Sequence, residues 1–107
     1  MEPKKIKEIY NRKVKEEYQG DYEYHRWFSS SITRSGYEMT LQSIQYHLLN
    51  KPLFFKDYLE IGPGAGTWTK NFLNKNPEAS FDLVDISTEM LKLAREKLKG
   101  YQNIRYF

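Results

Sequence analysis

Three glycines at alternate positions carry the clearest chemical signal in this sequence. Gly62, Gly64 and Gly66 follow residues 58–61, which predict a buried strand running into a tight turn and then a helix. Glycines in such a turn let the backbone approach a ligand where a side chain would block it. Asp85 ends a second apolar run, 19 residues after Gly66. An acidic residue at the tip of a second strand is placed to bind the hydroxyl groups of a ribose.

Glu60 lies near the end of the first predicted strand, where a carboxylate is costly unless a donor faces it. The segment EIGPGAG at residues 60–66, together with Asp85, resembles the class I S-adenosylmethionine-dependent methyltransferases. The similarity covers about residues 57–107. It implies S-adenosylmethionine as the cofactor and methyl transfer by in-line displacement. It also implies that Glu60 steadies the glycine loop or a cofactor-bound water.

The resemblance implies a role for each residue of the motif. Gly62, Gly64 and Gly66 are expected to pass under the methionine part of the cofactor. Asp85 is expected to bind the ribose hydroxyls, and Ile86, which follows it, is expected to lie in the same site.

Two other interpretations of the glycine loop remain open. In a nicotinamide or flavin domain the fingerprint is G-x-G-x-x-G, but the sixth position counted from Gly62 is Thr67. Glu60 would also bring a second negative charge toward a pyrophosphate. A glycine turn without a ligand would explain the glycines but would leave Glu60 and Asp85 unexplained.

Composition narrows the class of protein. The 107 residues are 39% hydrophobic and 29% charged, with a net charge of +3, which is typical of a globular domain with a modest core. There is no cysteine, so neither disulfides nor a thiolate metal site is expected, and the two histidines do not form a metal site by their spacing. No apolar run reaches membrane-spanning length, and no signal peptide is evident, so we expect a cytoplasmic protein. The mild basicity gives no strong signal for nucleic acid.

Residues 1–52 predict a helical cap that precedes the motif. Apolar spacing predicts a helix over residues 4–19 that ends at Gly20, and a second helix over residues 37–50. The serine-rich residues 21–36 between them predict a loop. The apolar stripes of the two helices are Ile6, Tyr10, Val14 and Tyr18, then Tyr37, Leu41, Ile44 and Leu48.

Thr33-Arg34-Ser35 resembles a segment that precedes the glycine loop in small-molecule methyltransferases. There an arginine pairs with the carboxylate of the cofactor, which implies this role for Arg34 and favours a small-molecule acceptor. The alternative is a surface arginine at the start of a helix. Tyr24 and Trp27 could wall the cofactor or fill the core, and we favour the core.

Residues 53–107 predict the first half of a Rossmann-like α/β domain. A strand, helix, strand order with short connections predicts parallel strands. Ser87 is a suitable N-cap for the helix after Asp85. Since the sequence stops in a third strand, we expect a class I methyltransferase fold truncated after the third parallel strand. Its first strand would then be an exposed edge, which predicts a homo-oligomer that covers it or a poorly soluble fragment.

The function expected from these observations is S-adenosylmethionine-dependent methyl transfer, with these residues as the cofactor-binding portion. No motif among the 107 residues marks a catalytic residue, so none is assigned. The main alternative is a non-catalytic module that binds the cofactor or acts through association. A dinucleotide-dependent oxidoreductase is the weaker alternative.

Overall fold

Helices precede a three-stranded sheet in the chain. The computed structural model describes residues 2–17 and 21–107, so Tyr18 and Gly20 of the predicted first helix lie outside the described residues. The first part contains α1 (Pro3–Arg12) with a π-helical turn (Lys13–Glu17), a second π-helical turn (Tyr24–Phe28), and α2 (Ser31–Ile44) with a third such turn (Gln45–Leu49). The second part contains β1 (Asp57–Ile61), α3 (Thr69–Lys75), β2 (Ser80–Val84), α4 (Thr88–Lys97) and β3 (Ile104–Tyr106).

The three strands form one sheet in the order β1-β2-β3, and both pairs are parallel. The predicted parallel pairing is therefore confirmed, as is the expected α/β fold with three strands. The register places Tyr58 beside Phe81 and Glu60 beside Leu83. Because side chains alternate across a strand, these residues share one face of the sheet. That face is the core side, since Phe81 and Leu83 are fully buried.

Both helices that follow the glycine loop contribute to this core. Leu73 of α3 and Leu98, just after α4, pack against Phe81 and Leu83. The α4 helix begins as predicted, because Ser87 Oγ accepts a hydrogen bond from the Met90 amide at 3.1 Å.

The predicted loop over residues 21–36 is wrong. Residues 24–28 are a π-helical turn, and α2 begins at Ser31 instead of Tyr37. A capping box explains the early start: Ser30 Oγ accepts from the Thr33 amide at 3.2 Å, and Thr33 Oγ1 accepts from the Ser30 amide at 3.1 Å. This capping box was not predicted from the sequence, because threonine takes the position where glutamate or glutamine is usual.

The opposite face of the sheet is open in the described part of the chain. Leu59 is 64% exposed and Ile61 is 80% exposed, so the prediction that β1 is a buried strand is wrong for this face. β1 pairs only with β2 among the described residues, which makes it an edge. No helix in the described ranges is long and apolar enough to cross a bilayer.

The N-terminal helices contact the α/β part at several points. α1 packs against α4, and the third π-helical turn packs against α3. Trp27 meets Trp68, the residue before α3, with ring centroids 5.3 Å apart. The division into a cap at residues 1–52 and a domain at residues 53–107 stays a prediction.

Candidate cofactor site

The glycine loop connects β1 to α3 in a conformation that only glycine adopts readily. Gly62, Gly64 and Gly66 have φ values of +75°, +57° and +81°, all in the left-handed region. The Gly62 amide donates to the Val84 carbonyl at 2.7 Å, which pins the start of the loop to the end of β2. The Gly66 amide donates to the Pro63 carbonyl at 3.0 Å and closes the turn.

Asp85 binds the glycine loop directly. Its Oδ2 accepts a hydrogen bond from the Gly64 amide at 3.0 Å, and its Oδ1 accepts from the Ser87 amide at 2.8 Å. The two predicted halves of the motif, 21 residues apart in sequence, are therefore joined by one hydrogen bond. Since each carboxylate oxygen has two lone pairs, the half-buried Asp85 still has acceptor sites for the hydroxyl groups of a ligand.

A cavity of about 650 Å³ opens beside this hydrogen bond. This volume falls in the range of small-molecule and cofactor sites, which is roughly 300–1,000 Å³. The lining is mostly apolar, with the Asp85 carboxylate as its charged group. The lining residues are Tyr10, Tyr22, Ile61, Gly62, Gly64, Val84, Asp85, Ile86, Met90 and Phe107.

The three glycines have different surroundings. A Cβ added at Gly62 or Gly64 would meet nothing within 4 Å, so both positions border open space. A Cβ at Gly66 would lie 3.3 Å from Leu98 Cδ1 and 3.5 Å from Ala94 Cβ. Gly62 and Gly64 thus leave room for a ligand, whereas Gly66 lets the loop pack closely against α4.

Glu60 lies behind the loop and is not among the residues that line the cavity. Its Oε1 accepts hydrogen bonds from the Tyr58 hydroxyl at 2.6 Å and from Thr69 Oγ1 at 2.9 Å. Thr69 is fully buried in the first turn of α3, so these bonds fix α3 to β1. Burial and the hydrogen bond to Glu60 raise the pKa of the Tyr58 hydroxyl well above its ordinary value, so it stays a donor.

Residues 59–106, which contain most of β1, the loop, Asp85, β2 and β3, match the family model of the methyltransferase domain. The chain is 34% identical over 70 residues to malonyl-[acyl-carrier protein] O-methyltransferase 2 of Ilyobacter polytropus, covering 59% of this chain and 27% of that protein. It is 35% identical over 48 residues to malonyl-[acyl-carrier protein] O-methyltransferase of Halalkalibacterium halodurans, covering 45% of this chain and 18% of that protein. It is 36% identical over 50 residues to tRNA (guanine-N(7)-)-methyltransferase of Clostridium acetobutylicum, covering 45% of this chain and 24% of that protein.

These matches support a class I S-adenosylmethionine-dependent methyltransferase family for the part of the chain that they cover. The chain holds a partial methyltransferase domain and spans about a quarter of the length of the two malonyl-[acyl-carrier protein] O-methyltransferases of Ilyobacter polytropus that it matches, 27% of one and 26% of the other. The matches favour this family over the dinucleotide-dependent alternative. Methyltransferases of this family use S-adenosylmethionine in general.

The residues of the partial domain fit this cofactor. Gly62 and Gly64 border a cavity of suitable size, into which an added Cβ would project without contact. Asp85 and Ile86 line the same cavity. The structure thus brings together four of the seven predicted site residues, while Gly66 packs the loop against α4 and Glu60 joins β1 to α3.

Arg34 is placed apart from these residues. It is an exposed residue of α2, its guanidinium carbon lies 5.9 Å from the centre of the Phe28 ring, and it does not line the cavity. Tyr24 is 49% exposed, and Trp27 packs on Tyr37 and Trp68. The pairing of Arg34 with a cofactor carboxylate stays a prediction.

The aromatic wall of this cavity was not predicted from the sequence. Tyr10 and Tyr22, which come from the N-terminal segment, line it together with Phe107. Tyr10 belongs to the predicted apolar stripe of the first helix, and that stripe was the only signal for it. A stripe predicts burial of the residue but not which cavity the residue will line.

Proposed function

We propose that the chain binds S-adenosylmethionine in the cavity between the glycine loop and Asp85, as the cofactor-binding portion of a methyltransferase that acts on a small molecule. The observation that carries this proposal is the hydrogen bond from the Gly64 amide to Asp85 Oδ2 at the cavity wall. This bond holds the glycine loop and Asp85 together at the wall of the same cavity, whose volume would hold a small ligand. The comparisons support the same function.

Each residue of the site has a defined task in this proposal. The bound cofactor supplies a methyl group already activated on a sulfonium, so the protein's main task is to hold donor and acceptor aligned. Asp85 accepts hydrogen bonds from the ribose hydroxyls. Gly62 and Gly64 allow the methionine part to approach the backbone, with Ile86 beside the ribose. Tyr10 and Tyr22 exclude water from one side.

A small acyl acceptor is the acceptor class that the comparisons support best. Three of the four relatives are named for the O-methylation of a malonyl group on an acyl carrier protein, whereas one is named for tRNA. A carboxylate is fully ionised near neutral pH, so as a nucleophile it needs no general base.

The binding step is tested by titrating the chain with S-adenosylhomocysteine and measuring the heat by calorimetry and the amide shifts by NMR. We expect chemical-shift changes at residues 62–67 and at Asp85. Asp85→Ala should weaken binding by about 1.5–3 kcal/mol, because hydrogen bonds to a charged acceptor have this magnitude. Asp82→Ala is the matched control, since Asp82 lies on β2 and pairs with Arg105 at 2.8 Å, outside the cavity.

A ligand analogue sharpens this test. An analogue of S-adenosylhomocysteine without the two ribose hydroxyls should lose less affinity on Asp85→Ala than S-adenosylhomocysteine does, because only the contact of Asp85 with the glycine loop is then lost. If Asp85→Ala binds S-adenosylhomocysteine as tightly as the unchanged chain does, Asp85 has no role in the site. A separate turnover assay uses labelled S-adenosylmethionine and compares two classes of acceptor. One class is small carboxylates, either free or linked to a carrier, and the other is tRNA.

A module that acts through association is the second candidate, favoured by the open sheet face and edge. Leu59 and Ile61 are exposed at 64% and 80% on β1, and a second copy would cover them in a homo-oligomer. Leu59→Lys should dissociate such an oligomer in light scattering while leaving the cavity residues unchanged. A stable monomer at high concentration would rule out this candidate.

A further inference from the structure

Asn11, on the N-terminal helix α1, contacts the start of α4. Its Oδ1 accepts hydrogen bonds from Ser87 Oγ at 2.6 Å and from the Glu89 amide at 3.2 Å. A backbone amide can only donate, so the Asn11 atom that faces Glu89 must be the oxygen. These contacts span 76 and 78 residues of sequence.

Ser87 connects Asn11 to the candidate cofactor site. It is fully buried, its Oγ accepts from the Met90 amide, and its own amide donates to Asp85 Oδ1 at 2.8 Å. Asp85 Oδ2 in turn accepts from the Gly64 amide at 3.0 Å. A continuous series of hydrogen bonds therefore runs from Asn11 through Ser87 and Asp85 to the glycine loop.

We propose that Asn11 is a positioning residue of the cofactor site, which orients the Asp85 carboxylate by fixing Ser87. The effect of Asn11 on ligand affinity rests on the proposed function, whereas its effect on Asp85 and the loop does not. The role is specific to the Oδ1 acceptor, since this one oxygen receives both donors at the start of α4. Helix α1 then contributes two neighbouring residues to the site: Asn11, which positions Asp85, and Tyr10, which lines the cavity.

The competing explanation is that Asn11 only caps α4. A cap would protect the Glu89 amide and stabilise the helix without any effect on the glycine loop. The two explanations differ at Gly64, whose amide donates to Asp85, whereas the hydrogen bonds of Asn11 go to Ser87 and Glu89. Exchange of the Gly64 amide with solvent therefore distinguishes them, with no ligand present.

The experiment compares amide hydrogen exchange in the unchanged 107-residue chain, Asn11→Ala and Asn11→Asp. Asn11→Ala should accelerate exchange at Glu89, Ser87 and Gly64 by roughly three- to tenfold, which corresponds to the loss of a hydrogen bond of ordinary strength. Asn11→Asp keeps an acceptor oxygen and should restore protection at all three amides. Arg12→Ala, at the neighbouring exposed position of α1, should leave them unchanged.

Exchange of the Leu83 amide, in the core strand β2, measures any global destabilisation of the chain. The proposal requires Gly64 to accelerate more than Leu83 does. Acceleration at Glu89 alone, or equal acceleration at Gly64 and Leu83, would overturn it. Asn11→Gln, which moves the same amide by one methylene, is the milder variant if Asn11→Ala does not fold, and it should accelerate the same amides.

A binding measurement adds the link to the cofactor. S-adenosylhomocysteine should bind Asn11→Ala roughly three- to tenfold more weakly. The double variant with Asp85→Ala should bind no more weakly than Asp85→Ala alone, because both changes act through one carboxylate. Additive losses would refute action through Asp85. If the unchanged chain binds no S-adenosylhomocysteine, the proposed function fails, and the exchange result still decides the role of Asn11.

Discussion

Replacing single glycines with alanine tests whether the loop is built as described. Gly66 is the critical position, because an added Cβ there would lie 3.3 Å from Leu98 Cδ1 and 3.5 Å from Ala94 Cβ. Leu98 and Ala94 are both fully buried, and protein cores are closely packed. Gly64 has a similar backbone conformation, with φ of +57°, but an added Cβ there would meet nothing within 4 Å. The pair therefore separates the cost of the backbone conformation from the cost of overpacking.

The expected magnitudes follow from these surroundings. Alanine in the left-handed region costs about 1–2 kcal/mol, which is the whole expected loss of unfolding free energy for Gly64→Ala. Gly66→Ala adds overpacking of a dense core, which costs about 1–3 kcal/mol more. Gly36→Ala is the control with the opposite sign: Gly36 lies within α2 and has open space around it. There alanine should stabilise the chain by roughly 0.5–1 kcal/mol.

Urea denaturation followed by circular dichroism measures the four free energies of unfolding. The predicted order of stability is Gly36→Ala, the unchanged chain, Gly64→Ala and then Gly66→Ala. Gly64→Ala should keep its fold but lose affinity for S-adenosylhomocysteine, because its methyl group enters the cavity. If Gly66→Ala is no less stable than Gly64→Ala, the close contact between the loop and α4 is wrong.

Three further changes test other parts of the structure. Burial raises the pKa of Tyr58, so the folded chain keeps this proton to higher pH than the unfolded chain does. The free energy of unfolding should therefore fall above about pH 10, and it should fall less steeply in Tyr58→Phe. Urea denaturation at a series of pH values measures both. Glu23 accepts from Thr67 Oγ1 at 3.0 Å and pairs with Lys97, so Glu23→Ala should lower the unfolding free energy by about 1 kcal/mol, and the same change in a Lys97→Met background should cost less. Arg34→Met should weaken S-adenosylhomocysteine binding only if Arg34 reaches the ligand carboxylate; unchanged affinity in calorimetry would refute that role.

The features that sequence reasoning predicted correctly have local signatures. The glycine loop and the Ser87 cap each lie within a few residues of the contacts that define them. The parallel pairing of β1 with β2 follows from two strands separated by one short helix. In each case the spacing of residue types along the chain determines the geometry, so no knowledge of distant contacts is needed.

The features that sequence reasoning missed depend on distant contacts or on a substituted motif. The Ser30–Thr33 capping box is local, but its threonine replaces the usual acid or amide. The exposure of Leu59 and Ile61 depends on what packs against β1, which the strand pattern does not contain. Asn11 has no signature at all, because a single asparagine on a polar helix face is compatible with a solvent-exposed residue.

The start of α4 explains why these distant contacts converge on Asp85. The first amides of a helix have no partner within the helix, so acceptors outside it must satisfy them. Here Ser87 Oγ accepts from Met90, Asn11 Oδ1 accepts from Glu89, and Asp85 Oδ1 accepts from the Ser87 amide just before the helix. The requirement to satisfy one helix end therefore orients the Asp85 carboxylate before any ligand arrives. Under the proposed function, a ribose would meet a carboxylate that is already ordered, which lowers the entropic cost of binding.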